Sequence, residues 1–342
     1  MQKVIVTGGA GFIGSNLVKY LLKKKYFVIN VDKLSYSANP YNLKNLKKNR
    51  NYIFFKADLN DRKKITKILN KYKPIGIFNL AAETHVDRSI DDPSPFINSN
   101  ILGTYNLLET IKKYSKHKKN FKMVHISTDE VYGDILNPKK KSRENDRYNP
   151  SSPYSASKAS ADHLIAAYVR TFKLPVVISN CCNNYGPNQH PEKLIPKIIY
   201  NLQKNLNIPI YAKGLNKREW IFVEDHCEAL LKIFKMGSVG ESYNVGSGHN
   251  LRNIDIAKRL IKIFSSKIGT NSLSKIVFVK DRPGHDFRYA LSSNKIKNKL
   301  KWKSKTNVDI GLHKTINWYI NNQNYYKNNN PRNFTKRFGR LK

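Results

Sequence analysis

The sequence predicts an α/β fold: a Rossmann-type, doubly wound parallel sheet followed by a smaller C-terminal α/β part. Three observations predict it. An apolar run at residues 4–7 leads straight into Gly8, Gly11 and Gly14, and then into a segment with Leu17, Val18, Leu21 and Leu22 on one side. Two further apolar runs, 27–31 and 52–57, each lead to an acid, Asp32 and Asp58. Strand-like and helix-like stretches then alternate, which lays successive strands parallel in one sheet.

In chain order, the first strand delivers glycines at G-x-x-G-x-x-G spacing, with Phe12 and Ile13 in the same turn. Gly8 lets the turn take its backbone, Gly11 lets the main chain approach a pyrophosphate, and Gly14 lets the helix pack on the strand. Negative charge then sits at a helix N-terminus. A glycine pattern alone is a weak signal, but a strand before it and a helix after it make dinucleotide binding the reading. Asp32, closing the second strand, can accept both adenosine ribose hydroxyls and repel a 2′-phosphate, which favours NAD over NADP; Lys33 beside it works against that preference. Asp58 and Leu59, after the third strand, stand where the adenine edge is contacted, although an ordinary turn acid would look the same. A helix at 62–72, a fourth strand at 75–80 and the small-residue turn Ala81-Ala82 follow.

The run at 123–126 delivers Ser127-Thr128-Asp129-Glu130-Val131-Tyr132-Gly133. Thr128, Asp129 and Glu130 therefore emerge where a buried strand ends, the place an α/β sheet puts its chemistry. Tyr154 and Lys158 lie four apart after Pro153 in a helical segment, so they share a face. A cation fixed beside a phenol favours phenolate and pulls its pKa, about 10 when free, toward neutrality, making a base next to a nicotinamide. An arbitrary Tyr-x-x-x-Lys is more often a core tyrosine and a surface lysine; the glycine turn is what overturns that.

The chain of 342 residues, 40% hydrophobic, has enough apolar material for one large domain or two interleaved ones. No secretory signal or membrane span is legible, which leaves a cytoplasmic enzyme as the expectation. Cys181, Cys182 and Cys227 form no disulfide framework, and nine histidines include no i, i+4 pair, so no metal site is expected. Lys and Arg number 62 against 24 acids, a formal charge of +38, which raises nucleic-acid binding as a rival class. The excess is nevertheless spread over helix ends and loops among many Asn, without an RNA- or DNA-reading motif. Attraction of an anionic substrate is the better use of that charge.

Thr7 to Asn16, Val31-Asp32-Lys33-Leu34, Ala81-Ala82-Glu83-Thr84-His85-Val86-Asp87-Arg88-Ser89-Ile90 and Ser127 to Gly133 resemble the extended short-chain dehydrogenases, and within them the nucleotide-sugar 4,6-dehydratases. The likeness continues through Pro150 to Ser160, Asn183-Asn184-Tyr185-Gly186-Pro187, Pro191 to Pro196 and Asp281-Arg282-Pro283-Gly284-His285-Asp286, to about Trp318. It implies enzyme-held NAD, a nucleotide sugar with dTDP-glucose foremost, and a homodimer through helices near Gly103 and Ser160. It implies oxidation at C4, elimination of water across C5 and C6, and return of hydride to C6. In that scheme Glu130 is the base at C5, Asp129 the acid at the C6 hydroxyl, and Thr128 holds the C4 oxygen beside Tyr154. Thr84 and Ser99 would line the cofactor or sugar pocket. Asn183 would meet the sugar diphosphate and Asn184 the cofactor, with Lys193, Leu194, Arg218, Asn253, Arg282 and His285 on the substrate side. For Asn253 a helix N-cap reads nearly as well, and Arg88 reads as a structural ion pair with Asp87 or Asp91. The family's usual residues differ at Ser35-Tyr36-Ser37-Ala38, Thr84, Cys181-Cys182 and Glu219, none of them a reacting group.

The expected division is a cofactor domain at 1–180, a nucleotide-sugar part at 181–320 whose chain crosses back, and a weakly ordered basic tail at 321–342. Two other readings compete: a UDP-sugar dehydratase, epimerase or decarboxylase of the same fold, and a dinucleotide-binding fold turned to RNA. The paired carboxyls Asp129 and Glu130 argue against an epimerase, and the intact Tyr154, Lys158 and carboxyls argue against the RNA binder.

Overall fold

The computed structural model describes residues 1–116, 118, 120–269, 272–327 and 338–339. Six strands arise by residue 181: β1 (Lys3–Thr7), β2 (Phe27–Asp32), β3 (Tyr52–Lys56), β4 (Gly76–Asn79), β5 (Lys122–Thr128) and β6 (Val176–Cys181). Six follow: β7 (Asn183–Tyr185), β8 (Ile208–Tyr211), β9 (Lys217–Phe222), β10 (Ser242–Val245), β11 (Asn250–Arg252) and β12 (Ile276–Val279). The first six and β10 make a seven-stranded sheet in the order β10-β6-β5-β4-β1-β2-β3, parallel at every pairing.

Sequence alternation along β1 explains how the sheet is covered. Val4 and Val6 face one side, where α1 (Phe12–Lys23) and α8 (Val223–Met236) bury Leu17, Val18, Leu21, Leu230 and Ile233 against them. Ile5 faces the other side, onto Ile65, Ile68, Leu107, Leu108 and Ile165 of α2 (Arg62–Tyr72), α5 (Gly103–Ser115) and α6 (Pro153–Phe172). With both faces buried, the strands read as nearly continuous apolar runs, as parallel sheets do. The doubly wound fold predicted from the sequence is the fold observed.

Helix ends are set by local chemistry. Asp61 caps α2 by accepting from the Lys64 N–H at 2.9 Å, and Lys73 closes it in a left-handed conformation. At the start of α6, Ser152 and Ser155 form a reciprocal capping box with Pro153 at the first helical position. That box fixes the register of Tyr154 and Lys158 relative to the sheet. Before it, α3 (Val86–Asp91) and α4 (Ser94–Phe96) run through a wide helical turn, Ile97–Leu102, into α5.

Smaller sheets, β11-β9-β7 and β12-β8, carry the second half. Their core gathers Tyr185, Ile198, Leu202, Ile210, Leu260, Leu312 and Ile316, drawing on α7 (Leu194–Gln203), α9 (Asn253–Ile268) and α11 (Val308–Asn321). Beyond α10 (Asn294–Leu300) and α11 comes the turn α12 (Asn324–Lys327). Against the expectation of a weakly ordered tail from 321, Tyr325 and Tyr326 are buried on this second core, and Tyr325 donates to the Asn188 carbonyl at 2.8 Å. Aromatic packing outweighs the polar neighbours there. Residues 328–337 and 340–342 of that stretch lie outside the described residues. Among the described residues no helix is long and apolar enough to cross a membrane.

Candidate active site

One cleft runs along the C-terminal ends of the parallel strands, where loops rather than helices cover the sheet. Its wall is built from Gly8, Gly11, Phe12, Ile13 and Gly14 after β1, Asp32 and Lys33 at β2, Asp58 and Leu59 after β3, and Ala81, Ala82 and Thr84 after β4. Ser99, Thr128, Asp129, Glu130, Tyr154, Lys158, Asn183, Asn184 and Lys193 also line it. Every residue assigned to the cofactor from sequence therefore faces the same space.

The glycine turn is shaped for an anion. Gly8 has φ +68°, and a Cβ on Gly14 would stand 2.2 Å from the Gly8 carbonyl oxygen, so the helix and turn touch main chain to main chain. Gly11 is the N-cap of α1 with no side-chain cap, so the first-turn N–H groups are left for a ligand. Asp32 Oδ2 accepts from the Ala10 N–H at 2.9 Å and Oδ1 from the Leu34 N–H at 2.7 Å, which fixes the carboxylate at the rim. Lys33 turns its ammonium to Ser99 Oγ, with Asp58 at 3.8 Å and Glu83 at 3.9 Å. A dinucleotide diphosphate and ribose fit these groups.

At the end of β5, Thr128 caps a single turn holding Asp129 and Glu130, and its hydroxyl accepts from the Glu130 N–H at 3.3 Å and donates to Asp129 Oδ1 at 3.2 Å. Asp129 is 3% exposed and its Oδ2 has no hydrogen-bond partner. Burial, with Glu130 and Glu219 nearby, holds its carboxyl well above the usual carboxylate range. Glu130 is also raised by burial, but the cations Arg282, Arg218 and Lys193 pull it back. The environments of two adjacent carboxyls thus push their proton affinities apart.

Tyr154 departs from the expectation of a phenol drawn toward neutrality by Lys158. Burial and the Glu130 carboxylate raise its pKa well above 10.0, while a hydrogen bond with Thr128 opposes them. The Lys158 ammonium donates to the Ile126 carbonyl at 2.8 Å and lies 3.2 Å from His125 Nε2. The spacing of four places the two side chains on one face, but cannot fix where a four-carbon stem points.

Outside the cleft wall stand Leu194, Arg218, Asn253, Arg282 and His285, which the sequence reading grouped with the substrate. Arg218 donates to the Asp286 carbonyl at 2.8 Å and stacks 4.3 Å above the Tyr289 ring. Arg282 pairs with Asp87 at 2.8 Å, yet its Nε is unpartnered and buried. His285 lies 2.6 Å from Asp281 and burial lowers it to about 4. Asn253 is the first residue of α9, with Arg252 as the N-cap, so the capping alternative falls; its buried Oδ1 and that of Asn183 lack partners. Lys193 donates to the Thr84 carbonyl at 2.7 Å. Leu194 opens α7.

Arg88 does form an ion pair, but with Glu192 at 3.1 Å rather than with Asp87 or Asp91. Its guanidinium also lies 4.0 Å from the ring centres of both Tyr36 and Phe338. The Gly339 N–H donates to Asp91 Oδ1 at 3.0 Å. Sequence reasoning singled out Lys193 and passed over Gln189, His190 and Glu192, which line the cleft. For Glu192 the signal was the same Pro191 to Pro196 block, which Gln189 and His190 immediately precede.

A glycine cradle, a buried tyrosine and lysine on one helix turn, and paired carboxyls at a strand end define a short-chain dehydrogenase site equipped for elimination as well as hydride transfer. The family model described as GDP-mannose 4,6 dehydratase matches residues 5–315, and the chain belongs to that family. It is 47% identical over 328 residues to a probable dTDP-glucose 4,6-dehydratase of Sinorhizobium fredii, covering 94% of this chain and 93% of the relative. With the dTDP-glucose 4,6-dehydratase of Salmonella typhimurium it shares 43% identity over 343 residues, 96% of this chain and 95% of the relative. The crystal structure of the Bacillus anthracis dTDP-glucose 4,6-dehydratase in complex with NAD superposes with a TM-score of 0.87 at 38% identity, over 96% of this chain and 100% of that one.

Proposed function

We propose that this chain is an NAD-dependent dTDP-glucose 4,6-dehydratase, converting the sugar nucleotide to its 4-keto-6-deoxy product. The observation that carries the reading is the pair Asp129 and Glu130, buried in the cleft that also holds the glycine cradle and Tyr154. NAD, when bound, supplies the acceptor for the C4 hydride and its donor to C6, and its oxidised ring carries positive charge. Gly8, Gly11, Gly14 and the α1 N-terminus would hold its diphosphate, and Asp32 its adenosine ribose.

The Tyr154 phenol, which the positive ring of the bound cofactor would draw down from the raised value that burial gives it here, takes the proton of the C4 hydroxyl, with Thr128 orienting that oxygen through the hydroxyl it shares between Asp129 and the Glu130 N–H. A C4 carbonyl makes the C5 hydrogen acidic, and Glu130, kept closer to its ionised form by Arg282, Arg218 and Lys193, removes it. Asp129, kept protonated by burial, gives its proton to the departing C6 hydroxyl. Glu130 then returns a proton to C5. The unpartnered groups Asn183 Oδ1, Asn253 Oδ1 and Arg282 Nε are the polar atoms offered to the nucleotide and its diphosphate.

The organisation follows: residues 1–180 serve the cofactor and 181–320 the nucleotide sugar, with β10 returning to the large sheet. The chain works in the cytoplasm, a setting that suits its three free buried cysteines. It pairs as a homodimer through α5 and α6, where Tyr105 and Phe172 are left exposed along with Leu102 just before α5. Light scattering of the wild type against Tyr105→Glu tests the pairing. The activity itself is tested by incubating the protein with dTDP-glucose or UDP-glucose and following the 4-keto product. Product from dTDP-glucose in clear preference is expected; turnover of UDP-glucose to UDP-galactose would overturn the reading in favour of an epimerase.

A further inference from the structure

Arg88 joins three parts of the chain that have no role in the chemistry above. It stands on α3, its Nε donates to Glu192 Oε2 at 3.1 Å, and its guanidinium carbon lies 4.0 Å from the ring centres of Tyr36 and of Phe338. Tyr36 in turn donates to Glu192 Oε1 at 3.0 Å and meets His190 edge to face, with 5.8 Å between ring centres. The Glu192 side chain is only 4% exposed, so each of its oxygens takes a partner from a distant segment where water has little access. His190 Nδ1 and His85 Nε2 stand at 3.5 and 3.7 Å from the same carboxylate.

Phe338 is anchored in its own right. The Gly339 N–H donates to Asp91 Oδ1 at 3.0 Å, and Gly339 has φ +70° at a place where a Cβ would stand 3.0 Å from Asp87 Cβ. Only glycine combines that backbone with so close an approach. Phe338 also sets its ring edge-on to His85, 6.3 Å between centres. The two residues therefore dock along α3, from Arg88 to Asp91.

Resting on the cofactor reading above, we propose that Tyr36, Arg88, Glu192 and Phe338 are positioning residues that form a clasp retaining the dinucleotide in the cleft. Ser35 and Ser37, beside Tyr36, line the cleft on the bank that follows Asp32, and His190 and Glu192 line it on the bank before α7. The Tyr36–Glu192 hydrogen bond ties those banks together. Arg88 neutralises the buried carboxylate, and its planar fork, laid over aromatic rings, is fixed in direction as an ammonium would not be. Phe338 holds that fork in place. Such a clasp has a use in the reaction: hydride taken from C4 must stay at hand until C6 receives it, and a cofactor lost in between would strand the sugar as an unsaturated ketone.

The test is the exchange of bound NAD, with holoenzyme carrying ¹⁴C-labelled NAD chased by an excess of unlabelled NAD, without sugar. Tyr36→Phe keeps the ring over Arg88 and removes only the bond between the banks, and Phe338→Leu keeps an apolar side chain but removes the ring. Each is expected to speed exchange roughly ten-fold. Phe338→Tyr should exchange like the wild type. Gly339→Ala should behave like Phe338→Leu, because the new Cβ lifts the docked residues from Asp87. The double variant Tyr36→Phe with Phe338→Leu should exchange little faster than either single one, since both act through the Arg88–Glu192 pair. Ile316→Val, a small loss in the second core, serves as a stability control and should leave exchange unchanged. Wild-type exchange in Tyr36→Phe and Phe338→Leu would overturn the proposal, as would effects that multiply in the double variant or an equal acceleration in Ile316→Val. Slow exchange in a wild type that leaves dTDP-glucose untouched would instead sink the activity reading, with the variants still judging the clasp.

Discussion

Asp129→Asn separates oxidation from elimination. The wild-type side chain is 3% exposed, its Oδ1 accepts from Thr128 at 3.2 Å, and burial pushes its carboxyl well above the usual carboxylate range. Asparagine has the same size, retains an acceptor for Thr128 and adds no charge, so the fold should change by no more than about 1 kcal/mol. What is lost is a transferable proton, and a missing general acid costs about 10²–10⁴ in rate, or about 3 to 5 kcal/mol on the elimination barrier. Tyr154 and Lys158 are untouched, so C4 oxidation continues and reduced cofactor should accumulate in a single turnover, read by its absorbance. The same sugar nucleotide with fluorine at C6 has a leaving group that needs little protonation, and should recover much of the rate. Glu130→Gln should gain nothing from fluorine, because the C5 proton must still be removed. Equal rescue of both variants, or no accumulation in Asp129→Asn, would refute the division of labour between the two carboxyls.

Tyr154→Phe should slow C4 oxidation by about 10²–10⁴ while leaving NAD bound; unchanged single-turnover reduction of the cofactor would place the base elsewhere. In Gly14→Ala the new Cβ would stand 2.2 Å from the Gly8 oxygen and 2.8 Å from Gly9 Cα, so turn and helix must part. At about 1–3 kcal/mol of overpacking, NAD affinity measured by calorimetry should fall about ten-fold or more. His226, fully buried against Asn184, is lowered to about 3 from 6.5 by burial. Between those values the unfolded chain holds a proton that the folded one refuses, so stability is lost as pH falls, by about 1.4 kcal/mol per pH unit. His226→Asn should remove that slope from urea unfolding measured across the same window; an identical slope would mean the imidazole is protonated in the fold.

The fold was legible because its determinants are local. The run before Gly8, the acids after β2 and β3, and the alternation of strand and helix each occupy a few adjacent residues, and the structure puts all of them in one parallel sheet. The cofactor side of the cleft was legible for the same reason, since each strand end contributes a short motif. Long-range pairings were not. Arg88 finds Glu192 across 104 positions, and Arg282 finds Asp87 across 195, distances at which spacing carries no information. The raised phenol of Tyr154 was unreadable because burial and carboxylates from other elements set it.

The central claim is that one cleft oxidises C4, eliminates across C5 and C6, and returns the same hydride. The most direct measurement follows dTDP-glucose carrying deuterium on C4 through turnover in ordinary water, with the product examined by proton NMR and mass spectrometry. The account predicts that the deuterium is retained and found on C6, because the hydride never leaves the cleft, and that in heavy water the product takes up one solvent deuterium at C5, by way of Glu130. Deuterium lost from the product, or retained on C4 of an epimerised sugar, would contradict it.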